Sequence, residues 1–252
     1  MADGGRGGLS RGAGAAYTPA HPPPSEGTPT PNVAPPRTTA QPALDGRAVR
    51  AALRECRRIV DRHQQWLTRL DAVLGDGDHG ENLAIGFRAV DELLDDLAPE
   101  LLPGELLIAA GHRLVATVGG ASGPLYGTAL IEAGFRAGNA PLLDAGLLMA
   151  VLEAAAGGLA RRGRCRTGDK TILDSLAPAA GAFGQAVADG ADVATAWSAA
   201  VGAAADGARA TRGMAARRGL ALRLGDRSIG HLDPGAVSCL FLLVALGRRG
   251  RS

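Results

Sequence analysis

Between residues 45 and 248 the apolar positions recur at spacings of three and four. Little period-two alternation of the kind that marks strands is present, and Ala and Leu fill much of the pattern. Val49, Leu53, Cys56, Val60, His63, Leu67 and Leu70 form one stripe and predict a first helix. A second is predicted over 83–97, with Phe87, Val90, Leu94 and Leu97 inward, and a third over 105–118. The fourth covers 124–137, with Ser122 as N-cap and Pro124 in the first turn. The fifth covers 142–160; the sixth, 172–187, contains Pro178, which demands a kink or a later start; the seventh covers 193–215. An eighth opens with Asp233 as cap and Pro234 at its first position. Its apolar run, 236–246, is too short to cross a bilayer and predicts a buried helix. The fold class is all-α.

The links between these helices fall into two kinds. Links 1–2, 3–4, 5–6 and 7–8 are rich in Gly and Asp, whereas the even links (APELLPG, GNAP, DGAD) are short and plain. Short links make neighbouring helices antiparallel, so all four odd links gather at one end of a bundle and predict a single site there.

Link 1–2 carries the strongest chemistry. Residues 70–82 read LDAVLGDGDHGEN, with Asp71, Asp76 and Asp78 interleaved with Gly75, Gly77 and Gly80. Three crowded carboxylates repel one another unless a hard cation takes them as oxygen ligands. Counted from Asp76, the turn glycine and the bidentate acid of an EF-hand fall on Glu81 and Phe87, so a calcium loop of that kind is excluded. Few carboxylates, with the other positions left to water and phosphate, suit magnesium.

The other odd links add complementary groups. GGASG at 119–123, just before Pro124, offers clustered backbone N–H groups and a positive helix end to phosphate oxygens, with Gly119 and Gly120 permitting close approach. No GK[ST] follows, so it is not a Walker loop. In link 5–6 stands Lys170, flanked by Asp169 and Thr171; it is the chain's only lysine among 27 basic residues. It either braces the loop through an Asp or lies near phosphate. Link 7–8 holds Asp226, Arg227, His231 and Asp233 around Gly230 and Gly235. Arg227 either neutralises phosphate or closes the loop as an ion pair. His79 and His231 lack zinc-ligand spacing and read as ligand-contacting residues.

Composition narrows the setting. The chain has 252 residues, 46% hydrophobic and 3% aromatic, with net charge +2, which demands neither a nucleic-acid nor a membrane partner. Cys56, Cys165 and Cys239 are odd in number and widely spaced, as expected of reduced thiols in a cytoplasm. Residues 1–44 are rich in Pro and Gly and lack an apolar signal segment, so a disordered tail is expected before a domain at 45–248, with a short basic tail at 249–252.

The strings GDGDHGEN, GGASGPLYGT, GDKT and GDRSIGHLDPGA, in this order, resemble the four motifs of the dihydroxyacetone kinase L subunit, across nearly all of 45–248. That resemblance implies a closed barrel of eight antiparallel up-and-down helices, with ADP or ATP and two magnesium ions at one end. By motif, Asp71, Asp76 and Asp78 would hold the ions and carry the catalytic role. His79, Gly80, Glu81, Asn82, Ala121 and Ser122 would contact nucleotide, and Gly163, Ile172, Asp233, Pro234 and Gly235 would complete the pocket. With Gly119, Gly120, Lys170, Thr171 and Arg227, these make up the expected cofactor-binding set.

The resemblance also implies a partner. Nothing in the chain resembles the K subunit, which in the family holds dihydroxyacetone through a histidine. The DHG-x-N form is similar to stand-alone L subunits whose ADP is recharged by a phosphoprotein of the phosphotransferase system. An ATP-dependent kinase subunit for a related keto-sugar and a non-catalytic ADP-sensing module are the alternatives. One departure stands out: similar sequences place a phosphate-contacting arginine where this chain has Leu220, leaving Arg218 and Arg223 as neighbouring substitutes.

Overall fold

The computed structural model describes residues 44–248, and the tails expected at 1–44 and 249–252 lie outside them apart from Leu44. Within them are eight α-helices: α1 (Gly46–Leu74), α2 (His79–Asp96), α3 (Pro103–Thr117), α4 (Ser122–Ala137), α5 (Ala145–Gly163), α6 (Leu173–Ala188), α7 (Val193–Ala210) and α8 (Pro234–Gly247). Each packs on the next, and α8 packs back on α1, so the ring closes. The described residues contain no strand, and no helix among them is long and apolar enough to cross a membrane. Every residue of α8 except Leu246 is buried, as its uniform apolarity predicts.

Small residues set how closely the helices approach. A Cβ on Gly111 would stand 2.7 Å from the Gly127 carbonyl oxygen, and one on Gly127 would stand 2.7 Å from that of Gly111, so α3 and α4 touch backbone to backbone. Pro178 lies inside a continuous α6. Proline has no N–H to offer the carbonyl four residues back, that of Asp174. Gly207 of α7 packs on that carbonyl so tightly that a Cβ there would come within 1.9 Å of it.

The boundaries differ from expectation at several points, each for a local reason. Helix α5 starts at Ala145 rather than 142, because Asp144 caps it by accepting from Leu147 N at 2.8 Å. Leu143 is instead paired with Leu44, which is buried and belongs to the fold, not to the tail. Helix α7 ends at Ala210 rather than 215; a 3-10 turn follows over Thr211–Gly213, and the Thr211 hydroxyl donates to Ala208 O at 2.6 Å. Ser122 is the first residue of α4, not its cap, and Leu70 and Leu97 are only half-buried. At the end of α1 the inward positions are Leu67, Asp71 and Leu74, which draws Asp71 out of the loop and into the helix.

Candidate functional site

All four odd links line one cavity of about 470 Å³. Residues 71–79 come from link 1–2, 119–125 from link 3–4, 162–172 from link 5–6, and 218–221 with 233–235 from link 7–8. No residue of an even link takes part.

Asp71 organises the acidic link. It is 8% exposed, and its Oδ2 accepts from the backbone N–H groups of Gly77, Asp78 and His79 at 3.0, 3.0 and 3.2 Å. One carboxylate thus serves the N-terminus of α2, which has no cap side chain of its own. Gly77, at φ +78, makes the turn that folds the link over Asp71, and a Cβ on Gly75 would fall 2.3 Å from Asp71 Oδ1. Asp76 is exposed and Asp78 half-buried, and one oxygen from each of the three acids lies within 4.8 Å of the others. Among the described residues, none of the three forms an ion pair with Arg or Lys. Burial pushes the Asp78 carboxyl up, a hydrogen bond from Asn82 opposes this, and Asp76 and Asp71 add repulsion. Oxygen-only donors with uncompensated negative charge fit a hard divalent cation such as magnesium.

Beside this cluster, α4 opens into the cavity with no side-chain cap, and Gly120 stands at φ +64 in the turn before it. Three of the four helices that begin at the opposite end, and α8 at this one, carry an Asp cap. Asp45, Asp144 and Asp192 each cap their own first turn. The free first-turn N–H groups of α4, at the positive end of its dipole, suit an anion.

A chain of buried hydrogen bonds lies beneath. His79 Nδ1 is 3.0 Å from Ser122 Oγ, and its Nε2 is 2.8 Å from Ser238 Oγ. The Tyr126 hydroxyl lies 2.7 Å from the same Ser238 Oγ and 3.1 Å from Gly235 O. Burial lowers the His79 pKa to about 4, so the ring is neutral and ties α2, α4 and α8 together.

Links 5–6 and 7–8 are held at the cavity by Lys170, which is 2% exposed. Its ammonium donates to the carbonyls of Thr211 (2.7 Å) and His231, not to a carboxylate, and so locks link 5–6 to link 7–8. Asp174, in the first turn of α6, accepts from Gly168 N and Thr171 N and shapes the same loop. Asp233 caps α8 through Ala236 N at 2.7 Å; burial raises its pKa to about 7, against the pull of that hydrogen bond and of Lys170.

Most of the expected residues meet here: Asp71, Asp76, Asp78, His79, Gly119, Gly120, Ala121, Ser122, Gly163, Lys170, Thr171, Ile172, Asp233, Pro234 and Gly235 line the cavity. Four do not. Gly80 is turned to α1, where a Cβ would lie 2.1 Å from Gln64 O; Glu81 is exposed on α2; Asn82 packs on Gly119; and Arg227 is exposed on the 3-10 segment Leu220–Ser228. Ser238 and Tyr126 carry structure that periodicity hides, since Ser238 sits inside an apolar run and Tyr126 inside a helical stripe. Leu125, Leu159 and Cys165 supply an apolar wall beside Gly163.

The DAK2 domain matches residues 73–248. The chain is 38% identical over 188 residues to an ADP-binding subunit of a PEP-dependent dihydroxyacetone kinase of Listeria innocua, covering 73% of this chain and 86% of that protein. It is also 38% identical over 194 residues to the corresponding Escherichia coli subunit, covering 77% and 92%. The dihydroxyacetone kinase of C. freundii in complex with AMP-PNP and Mg2+ superimposes with TM-score 0.61 at 25% identity; the match covers 85% of this chain and 36% of that longer one. A fold whose four odd links build one site, together with relatives aligned over most of their own length, makes this chain a member of the DAK2 domain family, akin to the ADP-binding subunits of dihydroxyacetone kinases.

Proposed function

We propose that this chain is the nucleotide-binding, phosphoryl-transferring subunit of a multi-component dihydroxyacetone kinase. In this reading phosphate passes from nucleotide on the barrel rim to dihydroxyacetone held by a separate K subunit. The observation that carries it is the convergence of three carboxylates lacking ion-pair partners and the uncapped start of α4 on one cavity. Relatives named as ADP-binding subunits support the nucleotide's identity.

Asp71, Asp76 and Asp78 would hold two magnesium ions, which when bound offset charge on the phosphate oxygens. The chain's own residues do the positioning. Asp71 fixes the link backbone, the first turn of α4 offers N–H groups to phosphate, and Leu125 and Leu159 shield the base. The exposed apolar residues Val73, Val115, Leu220, Leu222 and Ile229 stand on the helix ends and the link around the mouth, which favours docking of a protein that brings the acceptor. The donor in this reading is a phosphoprotein, as in the relatives named PEP-dependent and PTS-dependent.

A second reading, an ATP-dependent subunit acting on a four-carbon keto-sugar, is favoured by 35% identity over 176 residues to a D-erythrulose kinase of Mycolicibacterium smegmatis, of which the match covers 30%. Steady-state assays with a purified K-like partner separate the two. Turnover only with a phosphoprotein donor supports the first, and turnover with ATP on erythrulose supports the second. Tight ADP binding without turnover points to an ADP-sensing module instead. Asp76→Ala should abolish transfer; full transfer by that variant overturns the metal assignment.

A further inference from the structure

A polyphosphate in this cavity calls for a cationic side chain, and among the described residues three Arg or Lys side chains line it: Arg162, Lys170 and Arg218. Lys170 commits its ammonium to the carbonyls of Thr211 and His231. Arg162, in the last turn of α5, is exposed and has no carboxylate among the described residues to orient it. Arg218 is differently placed. Its Nε is 3.4 Å from Asp169 Oδ2 and its Nη1 donates to Arg217 O at 3.3 Å, which leaves Nη2 without a partner among the described residues.

The anchor is itself well fixed. The Asp169 side chain is 3% exposed, its Oδ2 accepts from Arg166 N at 3.1 Å, and its carbonyl accepts from Arg217 N at 3.0 Å. Arg218 is therefore tied both by side chain and by its neighbour's backbone to link 5–6, while half of its side chain stays open. After it, Gly219 at φ +64 turns the chain so that Leu220 and Ala221 continue along the same cavity wall. Arg223, five residues on, is exposed and does not line the cavity.

We infer that Arg218, oriented by Asp169, is the side chain through which this protein grips the phosphates of its nucleotide. Leu220 cannot do so, being apolar. A guanidinium suits the task because its fork can hold an anchoring carboxylate and a phosphate oxygen at once. Asp169 acts as a positioning residue. The inference rests on the nucleotide-binding reading above.

Calorimetry on the full chain with magnesium tests it, using ADP and adenosine as paired probes. Arg218→Ala should weaken ADP binding about tenfold or more and leave adenosine binding unchanged. Arg218→Lys should recover part of the loss, and Arg223→Ala should match wild type. ADP binding by Arg218→Ala that equals wild type overturns the inference alone, as does an equal loss in Arg223→Ala. Absence of magnesium-dependent ADP binding in the wild type removes the functional reading, and this inference with it.

Discussion

His79 Nε2 lies 2.8 Å from Ser238 Oγ, so the residue that opens α2 is joined through the barrel interior to the second turn of α8. Ser238 Oγ also meets Tyr126 OH at 2.7 Å and Gly235 O at 3.0 Å. One fully buried hydroxyl therefore serves three partners, two of which reach the cavity lining.

Removing that hydroxyl strands its neighbours. Ser238→Ala should destabilise the fold by about 1–3 kcal/mol, the cost of leaving buried polar groups unsatisfied. Urea denaturation checks this. A change below about 0.5 kcal/mol would mean that the Tyr126 and His79 groups find other partners.

How much of this was readable in advance depends on what each residue does. The eight helices and the gathering of odd links follow from apolar period and link length, both local quantities. Asp71 was legible as a candidate ligand but not as the acceptor for three backbone N–H groups, because Gly and Asp in a row say nothing of which carboxylate the link folds over. Lys170 stood out by being alone, yet its partners are carbonyls 41 and 61 residues away, which spacing cannot reveal. Ser238 lies in a run whose apolarity predicts burial and conceals its one polar contact point. Helix ends were misplaced where a cap decided them, as with Asp144 and Thr211.

Acid should loosen the protein partly through His79. Burial lowers its folded pKa to about 4 from 6.5, so as pH falls the unfolded chain takes up the proton first. This contribution to stability is intact above about pH 6.5 and is lost progressively down to about pH 4, by up to about 3 kcal/mol. His79→Gln should flatten that part of the profile. Denaturation of both proteins at pH 8 and 4.5 is the check; parallel profiles would exclude His79 as the source.

Asp71 and Asp76 should separate structure from ligand binding. Asp71→Asn keeps the shape but weakens acceptance from three N–H groups, so it should cost about 1–3 kcal/mol of stability and also impair magnesium-dependent ADP binding. Asp76 is exposed and engages none of them, so Asp76→Asn should leave the melting temperature within a degree or two while weakening ADP binding in magnesium. Calorimetry and thermal melts of the two variants together decide it. Equal destabilisation would show that Asp76 also holds the link.

Asp233 has the opposite pH signature to His79. Burial raises its folded pKa to about 7 from 3.8, so above pH 7 the folded chain carries a carboxylate that the unfolded chain holds at less cost. That penalty is full above about pH 7, shrinks as pH falls, and vanishes below about pH 4, where both states are protonated. Asp233→Asn removes the charge while its amide oxygen can still accept from Ala236 N, so the cap is preserved. The variant should therefore be more stable than wild type at pH 8, by on the order of 3 kcal/mol, with a smaller gain at pH 5. The Lys170 ammonium works against this gain, because it favours the ionised form. Urea denaturation at the two pH values gives the sign directly: a loss at pH 8 would mean that attraction to Lys170 outweighs burial, and a pH-independent gain would mean that the benefit comes from packing rather than from charge.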